Sequence, residues 1–241
     1  MSESPKYSRV LLKISGEALA GQAGFGLDAE TLSYIADEIA AVQKLGVQVA
    51  VVVGGGNFIR GEAFSSKGNI ERSVADQMGM MGTIMNGLAL QSAIESKGIP
   101  TRVQSAVDVA EVAESFIRRR AIRHMEKGRV VVFAGGTGNP YFTTDTASVL
   151  RTLEIGAEVL LKATKVDGIY DKDPKKHADA VKYDNLGFKE ALDKRLAVMD
   201  QTAFAMCLEN KVPVIVLDLM EAGSMTKAVL GQKIGTLVQG E

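Results

Sequence analysis

Val47-Gln48-Val49-Ala50-Val51-Val52-Val53-Gly54-Gly55-Gly56-Asn57 decides how the chain is read. Six of its first seven residues are apolar. A short run of this kind, rich in β-branched side chains, predicts a strand buried on both faces. The glycines mark a sharp exit at its carboxyl end. Upstream, Asp28 is placed to cap a helix whose apolar residues Leu32, Ile35, Ile39 and Val42 recur at helical spacing, and Gly46 closes it. Before that helix, Arg9-Val10-Leu11-Leu12-Lys13-Ile14 reads as a first strand ending in Ser15-Gly16. Downstream, a long helix is expected over residues 73–97, closed by Gly98, then a short strand over 101–103. Two helical stretches are expected over 109–127, a buried strand over 129–134, a helix from Thr144 and a strand over 159–163. A helix over 199–210 and a strand over 212–217 follow. Alternating strands and helices predict an α/β fold, a largely parallel sheet with helices on both faces. Ligands of such sheets bind along the rim formed by the strands' carboxyl ends.

The chain's 241 residues suit one domain, and 46% of them are hydrophobic, enough for a sizeable core. The best internal division falls after Ala134, with residues 1–134 and 135–241 as two functional halves of one domain sharing one sheet. With 28 Lys plus Arg against 29 Asp plus Glu, the charge is balanced, so neither nucleic acid nor a membrane surface is an expected partner. The single cysteine, Cys207, excludes an internal disulfide and a thiolate metal cage within one chain, and no metal site formed by side chains is expected. A polar N-terminus and the lack of a long apolar run point to the cytoplasm.

Two strand ends carry glycine-rich turns. Gly54-Gly55-Gly56 leaves no Cβ atoms in the way, positive φ is open to each residue, and Arg60 supplies a bidentate partner for phosphate oxygens. A plain turn needs fewer glycines, so the phosphate reading is preferred. The strand over 129–134 leads into Gly135-Gly136-Thr137-Gly138-Asn139-Pro140-Tyr141-Phe142-Thr143-Thr144-Asp145. These residues precede a helix N-terminus, whose free N–H groups favour anions, while Thr144 and Asp145 also suit simple capping. No G-x-x-x-x-G-K-[ST] and no G-x-G-x-x-G after the first strand occurs, which sets aside a P-loop or a dinucleotide site.

Lys13 and Lys162 each interrupt an apolar strand near its end. A buried ammonium there needs an anion, although a snorkelling stem is the alternative. At about 4 Å from a phosphate oxygen it gains roughly 4 kcal/mol at an effective dielectric near 20. Asp145 is suited to hold both ammoniums. The two histidines, His124 and His177, are expected at the surface. No base is needed if the acceptor is itself a phosphate, whose second pKa is about 6.

These residues fall into segments that resemble the bacterial-type uridylate kinases of the amino acid kinase superfamily. The segments are Lys13-Ile14-Ser15-Gly16-Glu17-Ala18-Leu19, Gly54-Gly55-Gly56-Asn57 with Arg60-Gly61, and Asp76-Gln77-Met78-Gly79-Met80. The run from Gly136 to Asp145 quoted above, Lys162-Ala163-Thr164-Lys165-Val166-Asp167-Gly168-Ile169-Tyr170 with Asp173-Pro174, and Val198-Met199-Asp200 complete the set, in order along nearly the whole chain. The resemblance implies a three-layer αβα sandwich and the reaction of ATP with UMP to give ADP and UDP in pyrimidine nucleotide biosynthesis, with Mg2+ on the nucleotide. It implies that Lys13, Ile14, Ser15, Gly16, Gly56 and Arg60 approach the ATP phosphates, and that Thr164, Tyr170 and Asp173 hold its nucleoside. Gly55, Asp76, Thr137, Gly138, Asn139, Pro140, Tyr141, Phe142, Thr143 and Thr144 would bind UMP, with Asp76 on the ribose. On this reading the first half is mainly the acceptor side and the second mainly the ATP side. Lys13, Arg60, Asp145, Lys162 and Asp200 would be the catalytic charges.

Tyr141 stands where the family often has Phe, and Gln77 where it often has His. The resemblance also implies a homohexamer with GTP and UTP as effectors. The loop Gly21-Gln22-Ala23-Gly24-Phe25-Gly26 lies where a GTP-response segment is placed, and it reads equally as a surface loop. Arg118, Arg119, Arg120 and Arg123 read as a solvated helix face, and Met78, Met81 and Met85 as core or subunit packing. An acyl-phosphate-forming kinase and a nucleotide-binding storage or regulatory protein on the same fold are the alternatives.

Overall fold

The computed structural model describes residues 4–59, 70–196 and 199–240. Its order is β1 (Arg9–Ile14), α1 (Gly16–Leu19), α2 (Ala29–Lys44), β2 (Gln48–Val53), α3 (Arg72–Ser96), β3 (Thr101–Ser105), β4 (Glu114–Ser115), α4 (Arg118–Glu126) and β5 (Val130–Ala134). Then come α5 (Thr144–Ile155), β6 (Val159–Thr164), β7 (Asn185–Leu186), α6 (Phe188–Asp193), α7 (Gln201–Asn210), β8 (Val214–Asp218), α8 (Ser224–Val229) and β9 (Thr236–Val238). The strands form one sheet in the order β4-β3-β5-β2-β1-β6-β8-β9-β7, parallel except where β8 meets β9.

Period-two alternation sorts each central strand onto two faces. Val10, Leu12 and Ile14 of β1 join Val49, Val51 and Val53 of β2 in a core under α2, α3 and α8. Leu11, Ala50, Val52 and Leu160 face the other way and pack with Val149 and Ile155 of α5 and with Phe204 and Cys207 of α7. Two cores on one sheet make the expected three layers. Asp28 caps α2, as its sequence position predicts, accepting from the Thr31 N–H at 2.8 Å.

The first of the two helical stretches expected over 109–127 is not a helix. Residues 109–113 make a single turn, with Val112 and Ala113 N–H donating to the Val109 carbonyl. The chain is then captured by the sheet edge, where Glu114 and Ser115 pair with Gln104 and Ser105. Phe116 packs edge-on against Phe133, with ring centroids 5.5 Å apart. Pairing and ring burial outweigh local helix propensity here. The last core strand starts at Val214 because Pro213 has no N–H to donate. Among the described residues, no helix is long and apolar enough to cross a membrane.

β1 lies between β2 and β6, and the strand order reverses there. Strands β1 to β5 fall on one side of the β1–β6 seam and β6 to β9 on the other. A crevice at such a switch point is where ligands of open α/β sheets bind.

Candidate active site

At this seam Lys13 and Lys162 are direct neighbours in register. Alternation puts them on the face of Leu11 and Leu160, toward α5. Thr143 caps α5 by accepting from the N–H groups of Asp145 and Thr146, which fixes Asp145 in the first turn. The carboxylate then meets both ammoniums, Lys13 Nζ 2.7 Å from Oδ1 and Lys162 Nζ 2.6 Å from Oδ2. The three side chains are only 10%, 13% and 16% exposed for Lys13, Lys162 and Asp145. Burial would raise the Asp145 carboxyl, but the two ammoniums outweigh it and hold it below the ordinary carboxylate value. Burial, with help from Lys13, lowers Lys162 despite its carboxylate partner. Two ammoniums thus converge on one buried carboxylate.

Asp200 stands one step back. It caps α7 by accepting from the Ala203 N–H at 2.9 Å, and it accepts from the Thr146 hydroxyl at 3.1 Å and from the Thr143 hydroxyl. It thus ties the N-termini of α5 and α7 together, and it acts on Lys162 through space.

The first glycine turn is built for close approach. Gly54, Gly55 and Gly56 are not among the positive-φ residues, so the freedom to adopt left-handed backbone goes unused there. A Cβ on Gly16 would lie 2.6 Å from the Gly56 nitrogen and 2.5 Å from Asn57 Oδ1. One on Gly55 would overlap the Gly79 carbonyl oxygen on α3. The turn is sealed by a buried amide pair. Asn57 Nδ2 donates to Asn86 Oδ1 at 2.9 Å, and Asn86 Nδ2 donates to Asn57 Oδ1 and to the Gly54 carbonyl, both at 2.7 Å. Gly55→Ala forces two backbones apart and is expected to lower stability by about 2–3 kcal/mol. Gly79→Ala, whose Cβ among the described residues meets only the Ile59 carbonyl oxygen at 3.9 Å, is expected to be neutral or slightly stabilising. Urea unfolding of the pair checks both, and equal midpoints would show that the turn is not close-packed.

The second glycine turn does use left-handed backbone, at Gly135, Gly136 and Gly138. Its Gly135 N–H donates to Thr83 Oγ1 of α3 at 2.7 Å. Thr137 and Asn139 bond to one another within the loop. Tyr141 sits at φ 71°, unusual for a bulky side chain, and its N–H is held by Asp76 Oδ2 at 2.9 Å. Asp76 also receives Arg72 Nε at 2.9 Å. Tyr141 and Phe142 are 67% and 51% exposed, two aromatic side chains open to solvent.

On the far side of Lys162, Thr164, Tyr170 and Asp173 line one cavity of about 480 Å3. The Thr164 hydroxyl accepts from the Val166 N–H at 3.2 Å, and Tyr170 donates its phenol to Asp167 at 2.7 Å. The loop carrying Gly21 and Gly26 is fastened to the first glycine turn. The Gly26 N–H donates to the Asn57 carbonyl at 3.1 Å, and Asn57 Nδ2 donates to the Gly26 carbonyl at 2.7 Å.

Arg60, Gly61 and Val198 lie outside the described residues. His124 is not a surface residue. Its ring is mostly buried between Glu114, 3.0 Å from Nε2, and Arg129, 2.9 Å from Nδ1. His177 is exposed, as are Arg118, Arg119, Arg120 and Arg123. Met81 and Met85 are each 47% exposed and so are not core. Sequence reading missed Thr83 and Asn86. Their signal is spacing: with Asp76 they share one face of α3 at 3.6 residues per turn.

The Amino acid kinase family model matches residues 8–218. The crystal structure of UMP kinase from Bacillus anthracis is 38% identical, with TM-score 0.93, covering 97% of this chain and 96% of that one. UMP kinase from Ureaplasma parvum is 34% identical, with TM-score 0.91, covering 98% of this chain and 100% of that one. Uridylate kinase from Archaeoglobus fulgidus is 30% identical, with TM-score 0.73, covering 95% and 99% respectively.

Proposed function

This chain belongs to the amino acid kinase family and is a kinase, and from that premise we propose that it transfers the γ-phosphoryl group of ATP to UMP. The observation that carries the reading is the pair of buried ammoniums on Asp145 at the β1–β6 seam, with the glycine-rich turns after β2 and β5 on one side of it. The UMP phosphate oxygen attacks the γ-phosphorus while the bond to the β–γ bridging oxygen breaks, giving UDP and ADP. The attacking oxygen is already anionic near pH 7, so no general base is needed. Positioning and charge neutralisation supply the catalysis.

Lys13 and Lys162 neutralise the moving phosphoryl group, Asp145 keeps both ammoniums aimed, and Asp200 braces the two helix ends behind them. Ile14, Ser15, Gly16 and Gly56 border the ATP phosphates, with Arg60 assigned there by resemblance. The cavity of Thr164, Tyr170 and Asp173 takes the nucleoside. Gly55, Asp76 and residues 137–144 take UMP. The Asp76 carboxylate retains acceptor capacity for ribose hydroxyls beside Arg72 and the Tyr141 N–H. The nearby carboxylates are already engaged, Asp145 by lysines and Asp200 by hydroxyls and a helix end, so Mg2+ fits as the counter-ion of ATP. Residues 1–134 serve mainly the acceptor and 135–241 mainly ATP. Exposed Met81 and Met85 support subunit packing in a homohexamer, while GTP and UTP as effectors and a cytoplasmic setting rest on the family.

The test is ADP release by the purified chain with Mg2+, ATP and one of UMP, CMP, carbamate or no acceptor. UMP is expected to give the highest turnover. Turnover with UMP no greater than with carbamate or without acceptor would defeat the proposal.

A further inference from the structure

Helix α3 touches both glycine-rich turns through buried polar side chains. Thr83 is 3% exposed and Asn86 is fully buried. The Thr83 hydroxyl accepts from the Gly135 N–H at 2.7 Å and donates to the Met80 carbonyl at 2.6 Å. Its one proton is donated and a lone pair is filled, and its partner Gly135 opens the loop that reaches Tyr141. Three residues on, Asn86 Nδ2 donates to the Gly54 carbonyl and to Asn57, as described above. The Gly54 and Gly26 carbonyls can only accept, so they fix which way each amide of the Asn57–Asn86 pair points. Asp76, two turns before Thr83, holds the same loop a second time through the Tyr141 N–H. A helix whose only task was packing would offer apolar groups at these positions. Buried polar groups instead carry a high cost unless satisfied, and here each one ends on a backbone group of a glycine turn.

We infer that Thr83 and Asn86 are positioning residues, which set the spacing between the first glycine turn, bordering ATP through Gly56 and UMP through Gly55, and the loop over 135–144 that takes UMP. The inference rests on the phosphotransfer reading above. Thr83 acts through Gly135 on the acceptor loop, and Asn86 acts through Gly54 on the turn beside Lys13 and Gly16. Thr83 is therefore expected to act on UMP alone, and Asn86, through a turn that carries Gly55 and Gly56, on both substrates.

The experiment is steady-state kinetics of the full chain with UMP and ATP varied in turn. Thr83→Val removes both hydrogen bonds at constant shape. It is expected to raise KM for UMP about tenfold while KM for ATP stays within about twofold, a displacement effect of the usual size. Thr83→Ser keeps the hydroxyl and is expected to restore the wild-type KM. Asn86→Ala is expected to raise KM for ATP as well as for UMP. Partial unfolding lowers apparent kcat and leaves KM alone, so a merely structural role would not move these constants. Where the valine variant does not fold, Thr83→Ala replaces it. Unchanged KM for UMP in the variant without a hydroxyl, or Asn86→Ala leaving KM for ATP unchanged, overturns the inference.

Hydrogen exchange over Gly135 reads the same bond with no substrate present. Protection is expected to be lost in the Thr83 variant that lacks the hydroxyl and kept in Thr83→Ser, and equal protection in the two overturns the inference. A wild-type chain that does not turn over UMP would defeat the phosphotransfer reading, and the exchange result would still decide the role of Thr83.

Discussion

Lys162→Ala is expected to lower kcat for phosphoryl transfer by roughly 10³-fold and leave the protein folded. An ammonium near 4 Å from a phosphate oxygen contributes about 4 kcal/mol at an effective dielectric of 20, close to three decades of rate. The charge is held where it acts. Lys162 is bound to Asp145 at 2.6 Å on a strand whose neighbour places Lys13 on the same carboxylate. Lys13 remains in the variant, so Asp145 keeps a counter-ion. Burial already works against the Lys162 ammonium, so its loss carries little stability cost. Circular dichroism beside the ADP-release assay checks both halves. A folded variant with near-wild-type turnover would remove Lys162 from the reaction, and an unfolded one would make its role structural.

Asp145→Asn is expected to be the more destabilising of the two. It leaves two ammoniums facing one another without a carboxylate, in surroundings where breaking a buried pair costs about 3 kcal/mol or more. Turnover is expected to fall by roughly 10²-fold or more, because the two cations are no longer aimed. The pH dependence gives a further check. The folded-state carboxyl lies below its ordinary value of 3.8 because the lysines outweigh burial. A lowered pKa contributes stability that is fully present above the unfolded value and lost as pH falls through the folded value. The gap in unfolding free energy between wild type and Asp145→Asn is therefore expected to be constant near neutrality and to narrow on acidification below about pH 3.8. Urea unfolding at a series of pH values measures it. A gap that does not change down to acid unfolding would contradict the clamp.

Much of this site could be read from the sequence because each lysine breaks an apolar run. A charge at a period-two core position has to find a partner, and Asp145 at a helix N-terminus was the nearest carboxylate the order of elements offered. The strands that build the seam were equally legible as runs of valine and leucine. What escaped was short or cooperative. Glu114–Ser115 and Asn185–Leu186 are two-residue strands, too brief to show alternation, and they exist because a neighbouring edge captures them. The apolar residues at 109–113 suggested a helix, which the pairing of Glu114 with Gln104 forestalls. Thr83 and Asn86 looked like ordinary polar positions on a long helix until the two glycine turns were folded onto them. The triple glycine was read for positive φ and for the close approach of a phosphate, whereas at Gly55 it is α3 that passes too close for a Cβ. Met81 and Met85 fit a helical core stripe by spacing alone, yet both point outward.

The most direct measurement is the fate of the γ-phosphate itself. The chain is incubated with Mg2+, UMP and ATP labelled on the γ-phosphate, and the nucleotides are separated. The label is expected in UDP, with one ADP formed for each UDP. Label that stays in ATP, appears only as inorganic phosphate, or moves to carbamate in preference to UMP would contradict the account.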